Sequence, residues 1–247
     1  MPITPPSSPE VSIAVIGAGR LGRVLVGALR AAGFTVHGPL ARTDSIPDTD
    51  IAILTVPDGA IPEVTKRARA HTKQLAHTSG ATGLDDVDFS IHPLQTFTGA
   101  ELPDVFEGIG AAIAGRTPAD ENTARQLAEA LGMTPFQVED RASYHAAASF
   151  ASNYVLTVLD AAEQLATQAG IENPRTLLAP LTRQTIDNWV ERGAQASLTG
   201  PIARGDVATV ARQRAATPDK DLFDALAEAT RTLATRAVTA PAPKDRP

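Results

Sequence analysis

The sequence predicts an α/β chain, with a doubly wound parallel sheet first and an all-helical region after it. Three observations carry this. β-Branched runs alternate with amphipathic runs up to about residue 140. A glycine-rich turn, Gly17-Ala18-Gly19-Arg20-Leu21-Gly22, joins the first strand to the first helix. Past residue 140 no convincing strand remains, and Gly170, Pro174, Pro180, Gly200, Pro201 and Pro218 punctuate helices alone. The expected divisions are a disordered lead-in at 1–10, a dinucleotide-binding domain at 11–140, an all-helical domain at 141–238, and a disordered tail at 239–247.

The first strand is the run Val11 to Ile16, with the composition of a buried parallel strand. The periodic apolar residues Leu21, Val24, Leu25, Ala28 and Leu29 follow, and Gly33 ends the helix. The three glycines of the turn serve different ends. Gly17 makes the tight turn, Gly19 allows close approach of a pyrophosphate, and Gly22 allows close helix–strand packing. A second strand is expected at 34–37. No acidic residue stands at its end to hold a ribose 2′-hydroxyl; the sequence offers Arg42 and Thr43 instead, a pairing suited to a 2′-phosphate. NADP(H) is favoured over NAD(H) on that ground. The alternative for Arg42 is a solvated loop charge, and Arg20 can equally face water.

A third strand at 50–56 runs into Val56-Pro57-Asp58-Gly59, with a helix over 60–70. A fourth at 75–78 leads into Ser79-Gly80-Ala81. Further strands are expected at 89–93, 110–114 and 136–138, with a helix over 118–131. Strand and helix are expected to alternate throughout. Ligands of such sheets lie off the carboxyl ends of the strands, so the loops at Gly17, Pro57 and Ser79 should line one crevice.

Residues 142–169 read as one long helix. On it His145, Ser149, Ser152 and Asn153 share an arc of roughly a quarter turn at ~100° per residue. Its apolar residues, Ala146, Phe150, Val155, Leu156, Val158 and Leu159, imply burial over much of its surface. The polar arc suits a bound substrate, or else a satisfied core network or dimer contact. His92 ends a strand that Pro93 keeps extended, where an imidazole can donate a proton or merely cap a loop. His37, His71 and His77 read as surface or structural. Arg204, in the loop 198–206 with Thr199, can clamp a carboxylate, while Asp206 reads as a helix N-cap.

The chain has 247 residues, 43% hydrophobic and 20% charged, with a formal charge of −6, which argues against nucleic-acid and anionic-membrane binding. It has no cysteine, no histidine–carboxylate spacing that suggests a metal site, no apolar run of membrane-spanning length and no signal-peptide pattern at its start. A cytoplasmic location is expected.

The motifs GAGRLG, DIAILTVPDGAI, HTSGA, IHPLQTF, YHAAASFASNYV and LTGPIARGDVATV occur in that order. Together they resemble the Rossmann-like DUF2520 family, whose helical domain is similar to that of 6-phosphogluconate dehydrogenase and whose relatives include pyrroline-5-carboxylate reductase, ketopantoate reductase and prephenate dehydrogenase. The resemblance implies a reductase that binds NADP(H) and pairs through its helices as a homodimer. His92 is similar to a histidine that prephenate dehydrogenases use on substrate. The lysine of ketopantoate reductases has no counterpart; His145, Ser149 and Asn153 stand on that face.

The expected activity is hydride transfer to a C=O or C=N of a small carboxylated substrate such as a ketopantoate-like 2-oxo acid. His92 or His145 would be the acid, Ser149 and Asn153 would hold the reacting group, and Arg204, Thr199 and Gln95 would bind the substrate. Gly17 to Gly22, Arg42, Thr43, Val56, Pro57, Ser79 and Gly80 would hold the cofactor. The rivals are a non-catalytic nicotinamide-nucleotide sensor or regulatory protein and an F420-dependent NADP oxidoreductase.

Overall fold

The computed structural model describes residues 11–236; the lead-in and tail expected at 1–10 and 239–247 lie outside the described residues. Internal contacts divide the chain between Val155 and Leu156 into two compact units.

The first unit is built on a seven-stranded sheet: β1 (Ser12–Ile16), β2 (Thr35–Leu40), β3 (Thr49–Leu54), β4 (Thr72–His77), β5 (Phe89–Pro93), β6 (Gly110–Gly115) and β7 (Thr134–Gln137), in the spatial order β2-β1-β3-β4-β5-β6-β7. Strand β1 is the centre of its amino-terminal half, pairing in parallel with β2 on one side and β3 on the other. Its side chains alternate between two cores, as the pleat demands. Ile13 and Val15 join Val24, Leu25 and Leu29 of α1 (Arg20–Ala31) and Leu127 of α3 (Pro118–Ala130). Ala14 and Ile16 join Ile61 and Val64 of α2 (Ile61–Ala68) on the opposite face. Both faces are therefore covered, which is why the strand reads as an unbroken apolar run.

The expected strict alternation of strand and helix does not hold in the middle of the sheet. No α-helix separates β4 from β5, and β5 runs antiparallel to β6, with His92 opposite Ala112. An antiparallel neighbour needs no helical crossover. The chain turns back through residues 94–109 instead, where Phe97 and the fully buried Phe106 stack 5.3 Å apart over the core.

The expected single helix over 142–169 is two. Helix α4 (Arg141–Ala151) ends at Ser152, whose φ of −125° and ψ of −77° leave the helical region, and α5 (Asn153–Gln168) starts afresh. Ser149, Ser152 and Asn153 are residues whose short polar side chains compete with the helix for backbone hydrogen bonds. The expected burial of this segment is also corrected: Phe150 is 69% and Leu156 65% exposed, and no residue of α4 is buried.

The second unit consists, in its described residues, of helices: most of α5, then α6 (Pro174–Arg192), α7 (Ala194–Ser197), α8 (Val207–Ala216) and α9 (Lys220–Thr235). Asp206 caps α8 by accepting from the Thr209 amide at 3.0 Å, as its position in the sequence implies. None of the residues of α6 is buried, and Leu177, Leu181, Trp189 and Val190 are all exposed. No described helix is long and apolar enough to cross a membrane.

Candidate functional site

The glycine turn folds as its spacing implies, and each glycine answers to a different constraint. Gly17 has a φ of +128°, and a Cβ there would lie 2.5 Å from the Thr55 carbonyl oxygen. At Gly22 a Cβ would meet the Gly17 carbonyl oxygen at 1.9 Å, so α1 can sit this close to the turn only without a side chain. Gly19 is different: nothing lies within 4 Å of its Cβ position. The fold itself does not require that glycine, and the space it leaves suits a group from outside. Thr55 locks the turn from beneath, its hydroxyl donating to the Gly17 carbonyl at 2.9 Å.

A cavity of about 470 Å³ opens over this turn at the carboxyl ends of β1, β2 and β3. Gly17, Ala18, Gly19, Val56, Pro57 and Arg42 line it. Arg67, from α2, lines it as well; nothing in the linear spacing marks it, because its helix follows β3 rather than β2. Arg42 is 3.4 Å from Glu63, and both side chains are largely exposed, so this is a weak pair that a phosphate can replace. Backbone amides at a helix start, an open glycine and two guanidinium groups fit a phosphorylated nucleotide.

Ser79 and Gly80 belong to a second cluster. The Ser79 hydroxyl is taken up by its own turn, accepting from the Ala81 and Thr82 amides at 3.2 and 2.9 Å. Fully buried His77 braces that turn: Nδ1 accepts from the Ser79 amide and Nε2 donates to the Gly83 carbonyl at 2.8 Å, which fixes a neutral tautomer. Burial also lowers its pKa. Gly80 lies against two imidazoles. A Cβ there would be 2.9 Å from both Cε1 and Nε2 of His92, and 3.1 Å from Cδ2 of His145.

His92, at the end of β5, and His145, on α4, are thus brought together, with ring centroids 6.4 Å apart. The His92 Nδ1 pairs with the Tyr144 hydroxyl at 2.6 Å, and the two rings meet edge-to-face with centroids at 5.5 Å. Burial, then the nearby His145 and Arg141, pulls the His92 imidazole down to about 4, so it is neutral at pH 7. Burial pushes the Tyr144 phenol up to about 12, and Arg141 acts the other way. Arg141 opens α4, which Asp140 caps through the Ala142 and Ser143 amides. Its guanidinium donates to the Ser79 carbonyl at 3.3 Å and the buried Ser90 hydroxyl at 2.5 Å.

Ser149 lies one turn beyond His145 on α4, but Asn153 opens α5, across the break at Ser152. Their expected common arc on one helix is therefore interrupted. Gln95 Oε1 accepts from the Thr96 amide in its own loop. Thr199 and Arg204 lie in the second unit, in the segment between α7 and α8. Leu21 is half-buried against the core, Arg20 lies beside Gly99, and Thr43 is in the turn after β2, next to Arg42 but not among the residues that line the cavity. Arg67, Tyr144 and Arg141 are the residues that linear reading misses. No group of three or more His, Cys, Asp or Glu among the described residues is placed to hold a metal ion.

Similarity to known proteins fits this architecture. A protein from Bacteroides fragilis, provisionally described as an NADP oxidoreductase, superposes with a TM-score of 0.78 at 22% identity, over 90% of this chain and 98% of its own. Protein TM1727 from Thermotoga maritima gives 0.74 at 22% identity, over 90% and 99%. An imine reductase from Myxococcus stipitatus, in complex with NADP+, gives 0.60 at 16% identity, over 90% and 92%. At these identities the likeness is one of fold. No curated protein matches the sequence. Residues 109–230, from just before β6 to within α9, match the family described as Domain of unknown function (DUF2520).

Proposed function

We propose that the protein is an NADP(H)-dependent oxidoreductase that reduces the C=O or C=N bond of a small carboxylated substrate. The observation that carries the reading is the open Gly19 in a cavity that Arg42 and Arg67 also line, with His92 on the same carboxyl edge of the sheet. Solved structures of the same fold include a pyrroline carboxylate reductase from Plasmodium falciparum with NADP bound, which supports the cofactor class. When bound, the nicotinamide supplies the hydride.

The turn at Gly17 to Gly22 would hold the pyrophosphate and keep the cofactor's direction along the sheet edge. Arg42 and Arg67 would hold the 2′-phosphate. His92 and His145 would serve as proton donor and orienting group, Ser149 and Asn153 would hydrogen-bond the developing charge, and Arg204 with Thr199 would be able to bind a carboxylate. The exposed apolar residues of α6 would meet their equivalents in a second copy, giving a homodimer whose mass sedimentation reads directly. A cytoplasmic location completes the reading.

Nucleotide titration tests it. NADPH should bind about 10- to 100-fold more tightly than NADH, and Arg42→Ala with Arg67→Ala should erase that margin while leaving NADH affinity unchanged. A protein that binds no nicotinamide nucleotide is not an oxidoreductase of this kind. Turnover across 2-oxo acids and cyclic imines, starting with ketopantoate, then identifies the substrate.

A further inference from the structure

Two groups at the histidine cluster have no part in the proposed reaction. Tyr144 and Arg141 lie on the first turn of α4, Tyr144 bonded to the His92 ring and Arg141 to the Ser79 turn. Their arrangement is specific. The Tyr144 hydroxyl sits 2.6 Å from Nδ1 of His92. The opposite edge of that ring, Cε1 and Nε2, faces Gly80, the one position in the turn that has no side chain to cover it. Nε2 has no hydrogen-bond partner among the described residues, so the ring is anchored through one nitrogen and presents the other. Arg141 is held by neutral acceptors only, the Ser79 carbonyl and the Ser90 hydroxyl. No carboxylate among the described residues lies within ion-pair distance of it, so a half-buried positive charge stands beside the tyrosine uncompensated.

We infer that Tyr144 is the proton reservoir of this site: its hydroxyl passes a proton to Nδ1 of His92 while Nε2 of the same ring protonates the oxygen of a carbonyl substrate, and Arg141 holds the phenolate that remains. This rests on the oxidoreductase reading. The balance closes. The carbonyl carbon gains the hydride and its electron pair, and the C=O π pair becomes the lone pair that takes the proton from Nε2. The Nδ1 lone pair takes the Tyr144 proton, so the imidazole ends neutral in its other tautomer. Water then reprotonates the phenolate, and the net consumption is one hydride and one proton.

The relay explains how a ring in these surroundings can be an acid at all. The groups facing His92 are Arg141 and His145 from α4, His77 from β4 and Asp58 from the turn after β3. Burial and the neighbouring positive charge keep an imidazolium from forming at neutral pH, His92 titrating at about 4. A ring that gives one proton and receives another never carries that charge. The same chemistry selects the substrate. A carbonyl reduced by hydride becomes an alkoxide, a base strong enough to draw a proton from a phenol through the ring. A protonated imine brings its own proton, and a positive charge that Arg141 repels.

Nitrogen-15 NMR of the histidine rings and a Tyr144→Phe variant test this. The phenylalanine keeps the edge contacts of Tyr144 with His92 and Phe136 and removes only the hydroxyl. In the wild-type protein His92 is expected as the Nε2–H tautomer. Protonation on Nδ1 instead makes Tyr144 the acceptor and overturns the relay, whether or not any substrate turns over. In single turnover with NADPH and a 2-oxo acid, Tyr144→Phe should slow reduction about 100-fold and leave NADPH affinity unchanged. Its dependence on the D2O fraction should change from a two-proton curve to a straight line. A variant that reduces at the wild-type rate, or keeps the two-proton curve, overturns the proposal. Failure to bind NADPH would sink the oxidoreductase reading and the relay with it, whereas a Tyr144→Phe protein that binds NADPH and reduces at the wild-type rate overturns the relay alone.

Discussion

Gly19 and Gly22 separate what the fold needs from what the ligand needs. Gly22 cannot carry a Cβ without colliding with the Gly17 carbonyl oxygen, whereas Gly19 faces open space at an ordinary φ of −73°. Gly22→Ala should therefore lose several kcal/mol of stability, about 2–4 by the usual cost of overpacking and backbone displacement. Gly19→Ala should unfold at the wild-type urea midpoint and yet bind NADPH about 10-fold more weakly, because its methyl would occupy the space of the pyrophosphate. Equal loss of stability in both would mean that the turn is only structural. At this scale the sequence is legible wherever structure lies in a local pattern: the tight turn at Gly17, the close packing at Gly22 and the capping Asp206 all follow from their neighbours. Tyr144 does not. It lies 52 residues from His92, and only the sheet edge brings them to hydrogen-bond distance.

Helix α4 is the element on which both histidine-facing groups and the relay depend, and its register is set at its first turn. Asp140 accepts from the Ala142 and Ser143 amides at 3.0 and 3.1 Å, fixing the start one residue before Arg141. Asp140→Ala should fray that turn and move Arg141 and Tyr144 off their partners, lowering kcat about 10-fold with little change in nucleotide affinity; Asp140→Asn, itself a good cap, should restore most of the rate. Steady-state kinetics on the three proteins distinguish a positioning role from an electrostatic one, which asparagine could not rescue. The seven strands are legible to within a few residues, since each is a short apolar run between turn residues. The break at Ser152 is not: an apolar period continues through it, and a linear pattern does not register a single residue leaving helical φ and ψ. The antiparallel β5–β6 pair escapes for a related reason, because strand direction depends on the long return path through residues 94–109 and not on the strand's composition.

For the molecule as a whole, buried His77 and half-buried His92 couple folding to acidity. His77 and His92 both bind a proton more weakly in the folded chain than the ordinary imidazole does, through burial. An unfolded chain takes up these protons as pH falls below about 6.5, while folded His92 does so only near 4. Stability should thus be complete above pH 7 and decline through the window between those values. The His92 share between pH 7 and 5 is about 1–2 kcal/mol, so His92→Gln should show a flatter urea midpoint against pH over that interval. An unchanged slope would mean that the ring is solvated. Carboxylates held below their usual range by hydrogen bonds, such as Asp120 and Asp140, destabilise the fold on protonation only further into acid.

The placement of chromophores gives this molecule a built-in spectral division. Its single tryptophan, Trp189, belongs to the second unit, and both tyrosines, Tyr144 and Tyr154, precede the division at Val155. Indole emission therefore reports on the helical unit alone, and phenol absorbance on the other. With no native thiol to compete, a cysteine introduced beside either can carry a dye at one defined place.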